Sequence, residues 1–135
     1  MTVELAGPRI QNLEKVLEGI SDIHGTGLFA RSDIQTGAVL GYLDGQIVDY
    51  DRHPTVRDLE WNGVGGSKVL CRPFATQYAL INHSFTPNLS MLRIDWAIVA
   101  CKDICEGEEL TLDYLKHGVP ETYLNSPHGN YLRNN

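Results

Sequence analysis

The 135-residue chain has only three cysteines, Cys71, Cys101 and Cys105. The odd count, with Lys102-Asp103-Ile104 between the last two, excludes the paired framework of a small secreted disulfide scaffold. No Cys-x2-Cys pair is present, and His24, His53, His83, His117 and His128 are scattered without an i, i+4 pair. A structural zinc site wants four ligands, so no metal is expected. Long apolar runs are missing as well: nothing approaches the roughly 18–20 residues of a membrane span. Met1-Thr2-Val3-Glu4 does not open a signal peptide. Positive charge is scarce, with 11 Lys and Arg against 17 Asp and Glu and a net charge of −6. That balance argues against direct binding to a nucleic-acid backbone and suits a basic partner. These absences together predict an intracellular protein, cytoplasmic or, in a eukaryote, nuclear and chromatin-associated.

What is present is an ordinary globular mixture, 42% apolar and 21% charged, with no domain boundary and no low-complexity segment. The whole of 1–135 reads as one domain, long enough to bury roughly 68–70% of its unfolded surface without staples. Ile10, Leu13, Val16, Leu17 and Ile20 fall at helical spacing over 8–20, with a strand as the alternative near Val16–Ile20. From Ile20 onward the segments are short, β-branched and glycine-punctuated. Ala30–Leu40 and Ala100–Leu110 both read Ala-x2-Asp-Ile-x2-Gly-x2-Leu, which predicts two similar turn units in one sheet system. Asp51–Arg57 is polar and Pro-broken and reads as loop or a short helical turn beginning at Pro54. Asn62-Gly63-Val64-Gly65-Gly66 reads as the reversal of a hairpin between Leu59–Trp61 and Lys68–Cys71. Asp95–Ala100 and Glu109–Tyr114 read as strands. Lys116–Asn135 has little periodicity and reads as a lid, an arm or a loose end.

Three short motifs carry chemistry only if they meet. His24-Gly25-Thr26-Gly27-Leu28-Phe29-Ala30 offers backbone that a ligand can approach closely, but Ala30 breaks the dinucleotide fingerprint and no βαβ unit follows. Asn82-His83-Ser84 with Pro87-Asn88 marks an irregular loop rich in donors and acceptors. His83 and Ser84 are poor catalytic partners, since adjacent strand residues face opposite ways. In Glu106-Gly107-Glu108-Glu109-Leu110-Thr111-Leu112-Asp113-Tyr114 the three glutamates read as a solvated face. Tyr114, a phenol at a strand end, is the residue of interest.

The order and spacing of Gly-x-Gly-Leu-Phe-Ala, Asn-His-Ser-x2-Pro-Asn and Gly-Glu-Glu-Leu-Thr-x-Asp-Tyr resembles the SET domain of protein lysine methyltransferases, from about Ile20 to Tyr114. The resemblance implies a mainly β fold of several small sheets around a knot-like crossing, with few short helices. Its core would span about 20–114, and 115–135 would cover it. It implies S-adenosylmethionine as cofactor, without metal, held by Gly25, Thr26, Gly27, Leu80, the backbone around His83 and the Asn82 side chain at the amino-acid end. Tyr114 would be the catalytic residue, at the mouth of a narrow channel. The substrate would be a lysine on a basic protein such as a histone. A homodimer would supply what absent flanking domains do not.

Departures qualify the match. Where many members have Arg-Phe-x-Asn-His, this chain has Ala79-Leu80-Ile81-Asn82-His83, so the cofactor's carboxylate loses an arginine and Lys68 or Arg72 is the expected substitute. The cysteine that often follows is Phe85, and the zinc-bound tail is absent. Tyr42 stands one position early relative to the usual Glu-Tyr-x-Gly-Glu strand, a shift that turns it away from the channel. Leu112 holds a place often given to Phe or Tyr, which would leave room for more than one methylation. The alternative reading is a silent SET-like module that binds a peptide or partner.

Overall fold

The eleven-residue repeat sets the frame in the computed structural model, which describes residues 9–133. Its two copies face each other across a local twofold. Ile34 and Ile104 exchange both backbone hydrogen bonds at 2.8 Å, and Gly37 N–H to Ala100 O is matched by Gly107 N–H to Ala30 O, also 2.8 Å. Asp103 accepts from the Thr36 amide, and Asp33 accepts from the Glu106 amide, both at 2.8 Å. Gly37 and Gly107 sit at φ +88° and +89°, a conformation that costs a side-chain-bearing residue about 1–2 kcal/mol. The two turns therefore pair with each other, where the repeat alone predicted neighbours within one sheet.

Ten short strands surround this pair: β1 (Val16–Ile20), β2 (Thr26–Ala30), β3 (Val39–Tyr42), β4 (Gln46–Asp49), β5 (Glu60–Gly65), β6 (Lys68–Arg72), β7 (Asn82–His83), β8 (Leu89–Met91), β9 (Ala97–Ala100) and β10 (Thr111–Leu112). They form the hairpin β1-β2, the antiparallel sheets β3-β9-β8 and β4-β6-β5, and the parallel pair β7-β10. Helices are few and short: 3-10 turns at Pro54–Asp58, Gln77–Leu80, Tyr114–His117 and Pro127–Gly129, with α1 (Glu121–Leu124) and α2 (Asn130–Arg133) in the tail. The mainly β class with several small sheets is as expected.

Four local expectations change. The helical spacing over 8–20 does not give a helix: from residue 9 the segment is extended, and Val16–Ile20 is the strand alternative (Pro8 lies outside the described residues). Its amides bond to distant chain, Ile10 to Ala75 O and Glu14 to Leu40 O, each at 2.8 Å. Lys15 sits at φ +63°, which a helix cannot accommodate, and Ile20 is 92% exposed rather than part of a buried stripe. In the glycine-rich hairpin, β5 continues through Asn62, Gly63 and Val64, with a bulge between Gly63 and Gly65, so the reversal falls at Gly66-Ser67. The segment Glu109–Tyr114 narrows to two strand residues, and Tyr114 begins a 3-10 turn capped by Asp113, whose carboxylate accepts from the Leu115 amide at 3.0 Å. The tail is docked, with Tyr123 and Leu132 buried; Asn134 and Asn135 lie outside the described residues.

Burial divides into two clusters. The larger gathers Leu28, Ile34, Leu40, Ile98, Ile104 and Leu110 around the paired turns. The smaller joins Tyr50, Trp61, Val69 and Cys71 to Tyr123 and Leu132 of the tail. Tyr114 packs against both. Between the clusters, the buried cross-strand pair Arg72 and Glu60 is joined at 2.6 Å. Glu60 also accepts from the Thr76 amide at 2.6 Å, and the Arg72 guanidinium lies over the Tyr78 ring, 5.2 Å from its centroid. A buried ion pair stabilises little in itself, but losing one partner costs about 3–5 kcal/mol. It ties the turn ahead of Asn82 to the β4-β6-β5 sheet.

Candidate functional site

The parallel pairing of β7 with β10 brings Asn82 and His83 beside the residues leading into Tyr114. The Ser84 amide extends it by donating to Leu112 O at 2.9 Å. Tyr114 is then held twice: its backbone N–H donates to His83 Nδ1 at 3.1 Å, and its hydroxyl donates to the Ile81 carbonyl oxygen. This is the crossing that the resemblance implied, and no local pattern could have shown it. Burial pushes the Tyr114 phenol well above its ordinary value near 10, so it stays protonated. Burial also lowers the His83 value, with Asp113 opposing. Because Nδ1 of the neutral ring accepts from Tyr114, its proton resides on Nε2. That nitrogen is buried and has no partner among the described residues.

Glu109, read from sequence as part of a solvated face, turns inward. Its carboxylate accepts from Ser21 Oγ at 2.8 Å and from Asn82 Nδ2 at 2.9 Å. The same Asn82 amide reaches Ser21 Oγ and His24 O, each at 3.0 Å. The three motifs therefore meet through one side-chain cluster. Gly27 is explained by it: a Cβ there would lie 2.5 Å from Glu109 Oε2. The closely approaching group at this glycine is the chain's own carboxylate. Ser21 and Glu109 are what the sequence reading missed, since their partners are 27 to 88 positions away.

The cluster borders an open cleft of about 650 Å³, within the roughly 300–1,000 Å³ of small-molecule sites. Ile23, His24, Asn82, His83 and Tyr114 line it from the motif side. Aromatic residues also line it: Trp61 from β5, with Tyr123, His128 and Tyr131 from the tail. Trp61 meets Tyr123 edge-on, centroids 4.7 Å apart, and its buried Nε1–H has no partner among the described residues. Arg57 and Asp58, from the 3-10 turn that Pro54 opens, supply charge. Behind Tyr114 lies a cavity of about 20 Å³ that shares Trp61, Tyr114 and Tyr131 with the cleft and also touches Asn62, Tyr78 and His117. It has room for about one water.

Of the candidate residues, Asn82, His83 and Tyr114 line the cleft together. Gly25, Thr26 and Gly27 do not line it; their neighbours Ile23 and His24 do. Leu80 is buried in the larger core. The Asn82 amide N–H groups are occupied by the cluster just described. Arg72 is committed to Glu60 and Lys68 pairs with Asp49 at 3.4 Å, so neither supplies the missing cation; among the described residues, Arg57 is the Lys or Arg side chain that lines the cleft. Tyr42 is 59% exposed and lines neither space, as its shifted position predicted. Leu112 is fully buried in the core and touches neither space, so it does not size the cavity beside Tyr114.

A sequence model of the SET domain matches residues 25–115. Over 120 residues the chain is 30% identical to the histone-lysine N-methyltransferase MEDEA of Arabidopsis thaliana, covering 78% of this chain and 17% of that protein. Its fold is similar to a humanized mutant of the Chaetomium thermophilum Polycomb Repressive Complex 2 bound to an inhibitor, with TM-score 0.58, 25% identity, and coverage of 76% of this chain and 15% of that one. It is also similar in fold to the Neurospora SET domain protein DIM-5, a histone lysine methyltransferase, with TM-score 0.59, 18% identity, and coverage of 77% and 54%. The chain thus spans less than two thirds of the length of each of these relatives.

Proposed function

This chain belongs to the SET domain family, and on that premise we propose that it is an S-adenosylmethionine-dependent lysine methyltransferase acting on a basic protein. One observation carries the proposal: the adjacent Asn82 and His83 line one cleft with Tyr114, 31 positions after His83, and Tyr114 is fixed by His83 and the Ile81 carbonyl.

The residues present fit the cofactor. The cleft has nucleotide-scale volume, an aromatic wall and two buried donors without partners among the described residues, Trp61 Nε1–H and His83 Nε2–H. Trp61, Tyr123, His128 and Tyr131 would hold its adenosine part, with Ile23, His24, Asn82 and His83 on the opposite side. S-adenosylmethionine bound there supplies an electrophilic methyl group on a sulfonium. The chain's contribution is position and environment. The Tyr114 hydroxyl spends its one proton on Ile81 O, so its oxygen is left as an acceptor that can orient an amine N–H. The buried surroundings of Tyr114 disfavour an ammonium and favour the uncharged amine that can attack. The proton leaves to solvent before attack.

The −6 charge and the histone substrates named for two relatives support a histone or histone-like tail. The docked tail, through Tyr123, His128 and Tyr131, serves as the cover of the site. Calorimetry of the folded chain with S-adenosylmethionine, followed by transfer of labelled methyl to core histones and to whole-cell lysate, tests the reading. Binding with a labelled lysine is expected. A folded sample that binds no cofactor overturns it in favour of the silent binding module.

A further inference from the structure

We infer that Arg57 and Asp58 grip the amino-acid end of the methyl donor, replacing the arginine lost at Ala79; the inference rests on the methyltransferase reading above. That end of S-adenosylmethionine is a zwitterion, an α-carboxylate beside an α-ammonium. Among the described residues lining the cleft, the Lys, Arg, Asp and Glu side chains are two, Arg57 and Asp58, adjacent and opposite in sign. They end the 3-10 turn Pro54–Asp58, whose Val56 packs against the smaller core, so both charges stand on an anchored turn.

The state of Arg57 points the same way. It is half-buried, and its hydrogen bond is a long one, Nη1 to Pro54 O at 3.4 Å. No carboxylate among the described residues lies within ion-pair distance of it. A guanidinium with its fork uncommitted is suited to bidentate binding of a carboxylate. Arg72 and Lys68 cannot take this role because Glu60 and Asp49 hold them. Asp58 is exposed and can accept from the α-ammonium. Trp61, three positions after Asp58, begins the aromatic wall, so charge and ring contacts are divided between neighbouring parts of one cleft.

Two probes separate this contact from a structural effect. S-adenosylhomocysteine carries the zwitterion, whereas 5′-methylthioadenosine keeps the adenosine thioether and lacks it. In calorimetry of the full chain, Arg57→Ala is expected to weaken S-adenosylhomocysteine about tenfold or more and to leave methylthioadenosine unchanged. Arg57→Lys restores part of the loss, and Asp58→Asn weakens only the zwitterionic probe. Equal S-adenosylhomocysteine affinity in wild type and Arg57→Ala overturns the inference, as does a parallel loss for both probes. Wild-type protein that binds neither probe overturns the methyltransferase reading itself, a distinct outcome.

Discussion

The Asn82 side-chain amide donates to the Glu109 carboxylate at 2.9 Å, across 27 positions of chain. Through Ser21 the same carboxylate also holds the loop ahead of β2. Hydrogen bonds to a charged partner contribute about 1.5–3 kcal/mol each. Glu109→Ala should therefore lower the thermal midpoint by about 5 °C or more. Gly27→Ala should destabilise because its Cβ meets Glu109 Oε2, and should do so less in a Glu109→Ala background. A double-mutant cycle from denaturant midpoints measures that coupling; additive effects would show that the carboxylate is not what Gly27 accommodates.

Tyr114 contributes a hydroxyl whose proton goes to Ile81 O and whose oxygen is the proposed acceptor for the substrate amine. Tyr114→Phe removes that oxygen while keeping the ring that packs against both cores. Methyl transfer should fall about 100-fold or more, with S-adenosylmethionine affinity and thermal midpoint nearly unchanged. Retained turnover would remove Tyr114 from the mechanism.

Trp61 offers an opposite trade between stability and binding. Its buried Nε1–H has no partner among the described residues, a defect that costs about 1–3 kcal/mol in the free protein. In Trp61→Phe, loss of that penalty offsets the smaller ring, so unfolding free energy should change by about 1 kcal/mol or less. S-adenosylhomocysteine binding should nevertheless weaken about fivefold. Unaltered binding would mean that the indole donor serves no ligand.

Acid should weaken the fold in two steps. His83 and His117 are both held below the ordinary histidine value of 6.5, chiefly by burial, with Arg93 adding to the effect at His117 and Asp113 opposing at both. The folded state thus binds fewer protons than the unfolded one. Their contribution is complete above about 6.5 and is lost as pH falls through the lower folded values. Asp103, held below 3.8 by the Thr36 amide and hydroxyl, gives a separate loss at lower pH. Thermal midpoints at about pH 7.5 and 5.5 should differ in wild type and differ less in His117→Gln. Equal slopes would exclude His117 from the first step.

How much was legible in sequence follows from where each residue finds its partners. The three motifs, the β class and Tyr114 were readable because short glycine-bounded segments and motif order are local properties. The 3-10 turn at Pro54 was readable as one of two local options, a loop being the other. The extended segment from residue 9 was not, since the Ile10 and Glu14 amides donate to carbonyls 65 and 26 positions away. Glu109 looked like its exposed neighbours because nothing near it names Ser21 or Asn82. Arg57 was hidden too: it lies outside all three motifs, and only the folded cleft brings it into one lining with Asn82 and His83.

The paired turns around Ile34 and Ile104 have a consequence in time rather than in space. Each supplies amide partners for the other, 70 residues along the chain, so neither is complete until a long loop has closed. Long-range closure of this kind must be met before its contacts reward it, and it slows folding relative to locally connected proteins. Glu109 and Tyr114 lie just beyond the second turn, so the cleft assembles only after that ring has shut. A nascent or truncated chain ending before residue 104 would hold the glycine loop and the Asn82-His83 segment without any site between them.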